Sequence, residues 1–250
     1  ERGLELRLVP EMGRAIRPWA DWSSYRRIAA AIREIDPDIV HTHSSKAGIL
    51  GRAAASRQRI PVVHTIHGAA FHFGQARLAQ ALYKKAERWA ARRCQRLISV
   101  CDAMTKQYLD SNIAAPELFT TIYSGMDVEP FLDPPRPREE VRAELGFADD
   151  DVVIGKIARL FDLKGHRYLL EAAGRIVEAC PQARFLLVGD GPLRDQFEAR
   201  ISRDGLADHF VLTGLVRPER IPELIHATEL VAHTSVWEGL ARVLPQSMIA

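Results

Sequence analysis

The chain has 250 residues, 47% of them apolar and 26% charged, the balance of a globular protein, and no apolar run reaches bilayer-spanning length. Its three cysteines, Cys94, Cys101 and Cys180, form no CxxC pair, which excludes a disulfide framework or a zinc knuckle and points to a reducing, cytoplasmic setting. The formal charge of +2 conceals a basic first half and an acidic second half, but with 7% aromatic residues and no nucleic-acid-binding motif the basic half indicates no nucleic-acid partner.

The opening stretch, residues 4–9, alternates apolar and charged side chains with period two, so a strand is expected to be under way there. A helix follows from about Asp21, with an apolar stripe at Ile28, Ile32 and Ile35, and Asp36-Pro37 ends it. Residues 39–43 read as a strand, and Ser44-Ser45 as the cap of a helix built of small residues. A third strand covers 61–68 and ends in a glycine turn. A long helix covers 75–93, a fourth strand 97–100, a helix capped by Asp102 comes next, and a fifth strand covers 119–123. Strands alternating with helices at these lengths imply βαβ units and a parallel sheet.

Residues 124–145 are rich in proline and polar side chains and read as a linker that ends in a short helix from Arg138. The alternation then restarts: strand 152–158, helix 166–179, strand 184–188, a helix from Pro192, strand 210–213, helix 218–227 and strand 230–232. Residues 1–123 and 146–250 therefore read as two Rossmann-like domains joined by the linker, with ligand expected in the cleft between them.

Two stretches of the second half carry chemistry. In the first, Arg159 leaves a strand and Lys164-Gly165 opens a helix, so a guanidinium, an ammonium and a helix N-terminus meet at one point suited to a diphosphate. The plainer alternative is a pair of solvated surface cations. In the second, the strand at 230–232 leads through a polar turn into Trp237-Glu238-Gly239-Leu240 and an apolar helical segment, again a strand–glycine–helix anion site. Glu238 stands at the strand's exit, and Gln246 lies eight residues on, inside the helix. Gly189-Asp190-Gly191-Pro192 nearly fits a dinucleotide fingerprint. However, Arg194 replaces its third glycine and Asp190 would repel a pyrophosphate, so it reads as a turn that brings backbone close to the ligand.

The first half clusters His41, His43, His64, His67 and His72, but no carboxylate or cysteine joins them at ligand spacing, and no metal is expected. The Asp-x-Asp matches at Asp36 and Asp149 sit in turns, where aspartate is ordinary turn chemistry. His67-Gly68 ends a strand, where it either faces the ligand or merely bonds backbone. The helix at 75–93 carries Arg77, Lys84, Lys85, Arg88, Arg92 and Arg93, with Leu78, Leu82, Ala86 and Trp89 on another face. It is either a solvated face opposite a core face or a dock for anionic lipid.

The wording Ser235-x-x-Glu238-Gly239-Leu240-x-Arg242-Val243-Leu244-x-Gln246, with Arg159-Leu160-x-x-x-Lys164-Gly165 upstream, resembles glycosyltransferase family 4, the retaining nucleotide-sugar transferases of GT-B fold. The resemblance covers nearly the whole chain and extends to residues 38–51, 62–73, 188–192 and 213–214. It implies two Rossmann-like domains, each incomplete in this chain, and a metal-independent enzyme of hexosyltransferase type that needs no cofactor beyond its nucleotide-diphosphate sugar. It further implies that Arg159 and Lys164 hold the diphosphate with support from the Gly239 and Leu240 amides. Glu238 faces the sugar hydroxyls, His67 orients the sugar, Gln246 reaches the ribose, Gly191 lies near the ligand, and Leu215 and Val216 neighbour the base. Relatives of this wording assemble cell-surface polysaccharide or glycolipid, which implies a saccharide or lipid-linked acceptor and peripheral contact with the inner leaflet through helix 75–93. Gln246 departs from the family, which has a second glutamate there. That departure keeps open a non-catalytic nucleotide-sugar binding protein, and the Gly189 turn keeps open, more weakly, an NAD-dependent oxidoreductase.

Overall fold

The computed structural model describes residues 5–13, 15–72 and 74–250. The chain divides into two compact units, Glu1–Ser124 and Gly125–Ala250.

In the first unit α1 (Pro18–Ile35), β1 (Val40–His43), α2 (Ser45–Arg57), β2 (Val62–Ile66), α3 (Arg77–Ala91), β3 (Arg96–Ser99), α4 (Asp102–Asp110) and β4 (Phe119–Thr121) follow one another. The four strands form a parallel sheet in the order β1-β2-β3-β4, because each helix returns the chain to the start of the next strand. Proline near its N-terminus and Asp21 in its first turn favour the start of α1; Asp36, in the left-handed region, bonds back to Ile32 and ends it ahead of Pro37. Small residues let α2 lie close on the sheet: a Cβ on Gly48 would come within 2.3 Å of the His64 ring, and one on Gly51 within 2.8 Å of Thr42. An ion pair between Arg52 and Glu87 (2.8 Å), almost fully buried, ties α2 to α3.

Four expectations are corrected here. Residues 5–9 form no strand, and Leu6 and Leu8 stand exposed while Arg7 pairs with Glu5 and Glu34; Leu4 lies outside the described residues. The alternation there has no neighbouring strand to pair with among the described residues, and period two alone does not make a sheet. Ser44 stands at the N-cap of α2 at φ 62 without a side-chain cap bond, and Asp102 is the first residue of α4 rather than its cap, its carboxylate accepting the Tyr123 hydroxyl at 2.5 Å. On α3 the buried residues are Glu87, Ala90 and Ala91, whereas Leu78, Leu82 and Trp89 are exposed. The helix packs through small side chains and a charge, so its large apolar ones face outward.

The second unit opens with α5 (Glu129–Leu132) and α6 (Arg138–Glu144), both within the stretch read as a linker. Then come β5 (Val152–Ile157), α7 (His166–Ala179), β6 (Ala183–Val188), α8 (Arg194–Arg203), β7 (Phe210–Gly214), α9 (Ile221–His226), β8 (Leu230–Val231) and α10 (Val243–Ile249). Its sheet is parallel, in the order β7-β6-β5-β8. Both faces are covered, which is why these strands read as near-continuous apolar runs. Ile154, Phe185 and Leu187 pack on one face with Leu169, Leu170 and Phe197, while Val153, Leu186 and Val188 pack on the other with Val141, Phe147 and Leu224.

The strand β8 is only two residues long, and Glu229 anchors its start. Its carboxylate accepts Val153 N–H at 2.6 Å and pairs with Arg138 and Arg142 of α6. Thus α6 pins the strand from which the Glu238 loop departs.

Candidate functional site

The strand order of the second unit reverses at one place. The chain moves from β5 outward to β6 and β7, then returns to lay β8 against the free side of β5. At such a switch point the loops leaving the two strands that flank it, β5 and β8, diverge and open a crevice at their C-terminal ends. Those two loops are residues 158–165, which carry Arg159 and Lys164, and residues 232–242, which carry Glu238.

The loops are laced together. Thr234 Oγ1 donates to Gly165 O at 2.7 Å, and Val236 N–H donates to Leu163 O at 2.8 Å. Gly165 adopts φ 62, and a Cβ there would lie 2.0 Å from Thr234 O, so glycine is required both by conformation and by space. The same residue is the N-cap of α7, which has no side-chain cap and no acidic residue in its first turn. The amides of that turn are therefore disposed to receive an anion.

Across this lacing Lys164 Nζ reaches Glu238 Oε1 at 2.5 Å, each side chain about one-fifth exposed. His233 Nε2 lies 4.0 Å from the same carboxylate oxygen. Burial lowers the pKa of His233, Glu238 opposes that shift, and Lys156 and Lys164 add to it. Beneath them His166, the first residue of α7, is buried with neither ring nitrogen hydrogen-bonded, and burial with the charges of Lys156 and Lys164 pushes its pKa down to about 3. Ser235 Oγ is also buried without a partner. Arg159 stands exposed at the exit of β5, its guanidinium 5.5 Å from the Phe161 ring centre.

The remaining expected positions lie around this centre in different ways. Gly191 packs against the loop after β5, where a Cβ would meet Leu160 O at 2.4 Å, and its N–H is taken by Asp190 Oδ1 at 2.7 Å. Close packing thus accounts for the glycine. Leu215 is 80% exposed at the exit of β7, whereas Val216 packs against the core. Gly239 and Leu240 precede α10 by three to four residues instead of opening it. Gln246, inside α10, lines a cavity of about 610 Å³ with Met126, Phe131, Pro218 and Arg242, and neither Lys164 nor Glu238 lines it.

In the first unit His67 follows the end of β2 and is exposed; its Nε2 is hydrogen-bonded to His43 Nδ1 at 3.0 Å, and His43 lies over His41 with ring centres 4.3 Å apart. That bond needs one ring to donate and the other to accept, so at least one of the pair is neutral. Partial burial, then the charge of His43, lowers the pKa of His67; burial, His43 and His67 lower that of His41. Among the described residues no group of three or more His, Cys, Asp or Glu is arranged to hold a metal ion. Of the Asp-x-Asp matches, Asp36 caps α1 and Asp151 accepts Ala148 N–H and pairs with Arg184.

Sequence reasoning did not single out Lys156, His166 or His233 as site residues. A signal existed for the first: a lysine inside the apolar run Val152-Val153-Ile154-Gly155-Lys156-Ile157. The other two gain their surroundings only from the folding together of loops about 70 residues apart.

Comparison with known proteins gives consistent matches. A family model described as Glycosyltransferase Family 4 matches residues 1–130, and one described as Glycosyl transferases group 1 matches residues 137–250. The chain is 32% identical over 236 residues to the Escherichia coli UDP-Gal:alpha-D-GlcNAc-diphosphoundecaprenol alpha-1,3-galactosyltransferase, covering 93% of this chain and 60% of that protein. It is 27% identical over 232 residues to the alpha-monoglucosyldiacylglycerol synthase of Acholeplasma laidlawii, covering 87% and 58%. Among solved structures, Anabaena HepE in complex with UDP-glucose superposes with a TM-score of 0.76 at 26% identity, covering 93% of this chain and 63% of that one. The chain thus spans about 60% of the length of these relatives.

Proposed function

The chain belongs to Glycosyltransferase Family 4, with the two parallel-sheet α/β units of the GT-B fold, and from that membership we propose that this protein transfers a sugar from a nucleoside diphosphate donor to a hydroxyl acceptor with retention of configuration. The observation that carries the proposal is the Lys164–Glu238 pair at the C-terminal ends of β5 and β8, set beside the uncapped N-terminus of α7.

The reaction breaks a sugar–phosphate bond through an oxocarbenium-like state, and negative charge gathers on the departing diphosphate. Fixed cations stabilise that charge without rearranging at the moment of reaction. Lys164, Arg159 and the first amides of α7 take this role, supported by Gly239 and Leu240. A diphosphate on Lys164 displaces the carboxylate of Glu238, which then faces the sugar hydroxyls and the developing positive charge. Gln246 reaches the ribose, Leu215 and Val216 neighbour the base, and the Gly191 turn supports the loop that carries Arg159. On the first unit His67 orients the transferred sugar, a role supplied by the family resemblance.

The relatives guide the choice of substrates. The E. coli protein is named for a UDP-galactose donor and a diphosphoundecaprenol-linked acceptor, and the Anabaena protein holds UDP-glucose. We therefore assign a UDP-sugar donor as the first to test and a saccharide or lipid-linked acceptor of cell-surface polysaccharide or glycolipid synthesis. No described helix is long and apolar enough to cross a membrane. The exposed Leu78, Leu82 and Trp89, flanked by Arg77, Lys85 and Arg92, suit α3 to peripheral contact with anionic inner-leaflet lipid.

Incubating the full chain with a panel of nucleotide sugars and acceptors, read by mass spectrometry, tests the proposal. Release of a nucleoside diphosphate with a sugar transferred supports it. Tight binding without transfer supports the binding-protein reading that Gln246 motivates, and absence of binding overturns both.

A further inference from the structure

Lys156 is the last residue but one of β5, an interior strand of the second unit's sheet, and stands opposite Leu187 of β6. It is 1% exposed, and its Nζ has no hydrogen-bond partner. By period two its side chain shares the face of Ile154, the side covered by α7 and α8. The charged and titratable groups that act on it are Lys164 on the loop after β5, His166 at the start of α7, and His233 and Glu238 on the loop after β8.

These groups leave the region short of negative charge. Glu238, the carboxylate among them, is already held by Lys164. His166 stays neutral and His233 is biased toward neutrality, so neither competes as a cation. The N-terminus of α7 adds its own partial positive charge. A buried ammonium without a partner is costly unless it loses its proton or meets an anion. Burial and the charge of Lys164, partly offset by Glu238, bring Lys156 down to about 8, so at neutral pH it remains mostly charged.

We propose that Lys156 is a buried counter-charge of the diphosphate subsite, lying beneath Lys164 and waiting for the anion of the ligand to complete its pairing. This rests on the reading of the site given above. An arriving diphosphate holds the ammonium in its protonated form, so ligand binding at alkaline pH takes up a proton at Lys156, and departure of the nucleoside diphosphate returns it. The free protein is destabilised by the same residue that strengthens binding.

The test is calorimetric titration of the full chain with UDP, whose diphosphate is fully ionised, at pH 8.5 in two buffers of different ionisation enthalpy, with inorganic pyrophosphate used for affinity alone because it carries a titrating proton of its own at that pH. The parent should take up a substantial fraction of one proton on binding. Lys156→Met, which keeps length and removes the charge, should lose that uptake and weaken binding about tenfold, the scale of one charge-assisted interaction. Its melting temperature should rise, whereas a merely structural lysine would lower stability and affinity together. Binding by the parent without proton uptake overturns the inference, whether or not the variant folds. Unchanged affinity and uptake in Lys156→Met overturn it as well. If the parent binds neither pyrophosphate nor UDP nor any other nucleoside diphosphate, the diphosphate reading fails and the inference with it.

Discussion

Lys164 and Glu238 are 74 residues apart in the chain and 2.5 Å apart in the fold, so each is the other's partner until a ligand intervenes. Substituting Lys164 with alanine removes a cation that matters most as the leaving group ionises. It should lower turnover more than it raises the donor's Michaelis constant, by about 2–4 kcal/mol in transition-state terms, as for lost oxyanion donors. Unchanged turnover would remove Lys164 from the site. Gln246 is a milder position. A carboxylate accepts hydrogen bonds from both ribose hydroxyls, whereas an amide accepts with one oxygen and donates from its NH₂. Replacing Gln246 with glutamate also places a negative charge beside Arg242, which lines the same cavity. Donor affinity should therefore move by no more than about 1–2 kcal/mol in either direction. If activity appears only in that variant, the parent is a binding protein.

Two glycines in one helical segment separate what a turn requires from what a helix merely tolerates. Gly165, at φ 62 and against Thr234 O, joins the loops after β5 and β8, so alanine there must either strain the backbone or spread the loops. Gly174, in the interior of α7, has open space where a Cβ would go. Urea denaturation should show Gly165→Ala destabilised by about 1–3 kcal/mol or more. Gly174→Ala should be stabilised by up to about 1 kcal/mol. Equal effects would mean that the lacing of the two loops is not what makes Gly165 necessary. At this scale much was legible in the sequence. Helix α7 spans the residues its pattern predicts, 166–179, because a glycine precedes it and its apolar stripe is unbroken. The alternation of strands and helices from Val40 onward was legible for the same local reasons. Residues 5–9 were not, since a strand exists only with a partner. Nor was the environment of Lys156, since its burial depends on α7 and on the loop after β8, which returns from far along the chain. Lys164 and Glu238 were each readable from motif wording, but their mutual contact was not.

At the scale of the whole molecule, each unit buries one neutral histidine, and together they set how the protein meets acid. In the first unit His64 is buried on β2, hydrogen-bonded to Thr42 at 2.9 Å, and burial followed by the charges of Arg52, His43 and His41 pushes its pKa down to about 3. In the second unit His166 is held at about 3 by burial and by Lys156 and Lys164. The unfolded chain protonates both near 6.5, so between pH 6.5 and 3 it binds protons that the native state refuses. Stability is then full above about pH 6.5 and falls as pH drops toward 3, with a slope of up to about 1.4 kcal/mol per pH unit for each histidine. Carboxylates such as Asp102 and Asp204 have lowered pKa values through their hydrogen bonds to Tyr123 and Arg200, so their own contribution is lost only at lower pH. The interval from pH 6.5 to 5 therefore isolates the histidines. Lys156 acts at the other end: its pKa is lowered from 10.5 to about 8, so the unfolded chain again binds the extra proton and stability rises above about pH 8, until from about pH 9 the Cys94 thiol and Tyr108 hydroxyl, whose pKa values burial raises, oppose it. Urea midpoints measured across this range should fall below pH 6.5, stay level to about pH 8 and climb above it. His166→Leu should reduce the acid slope, leaving the part due to His64 and to the less strongly shifted His41, His67 and His233, and Lys156→Met should abolish the alkaline rise. A midpoint that stays constant from pH 7 to 5 would mean that neither histidine is held neutral by the fold.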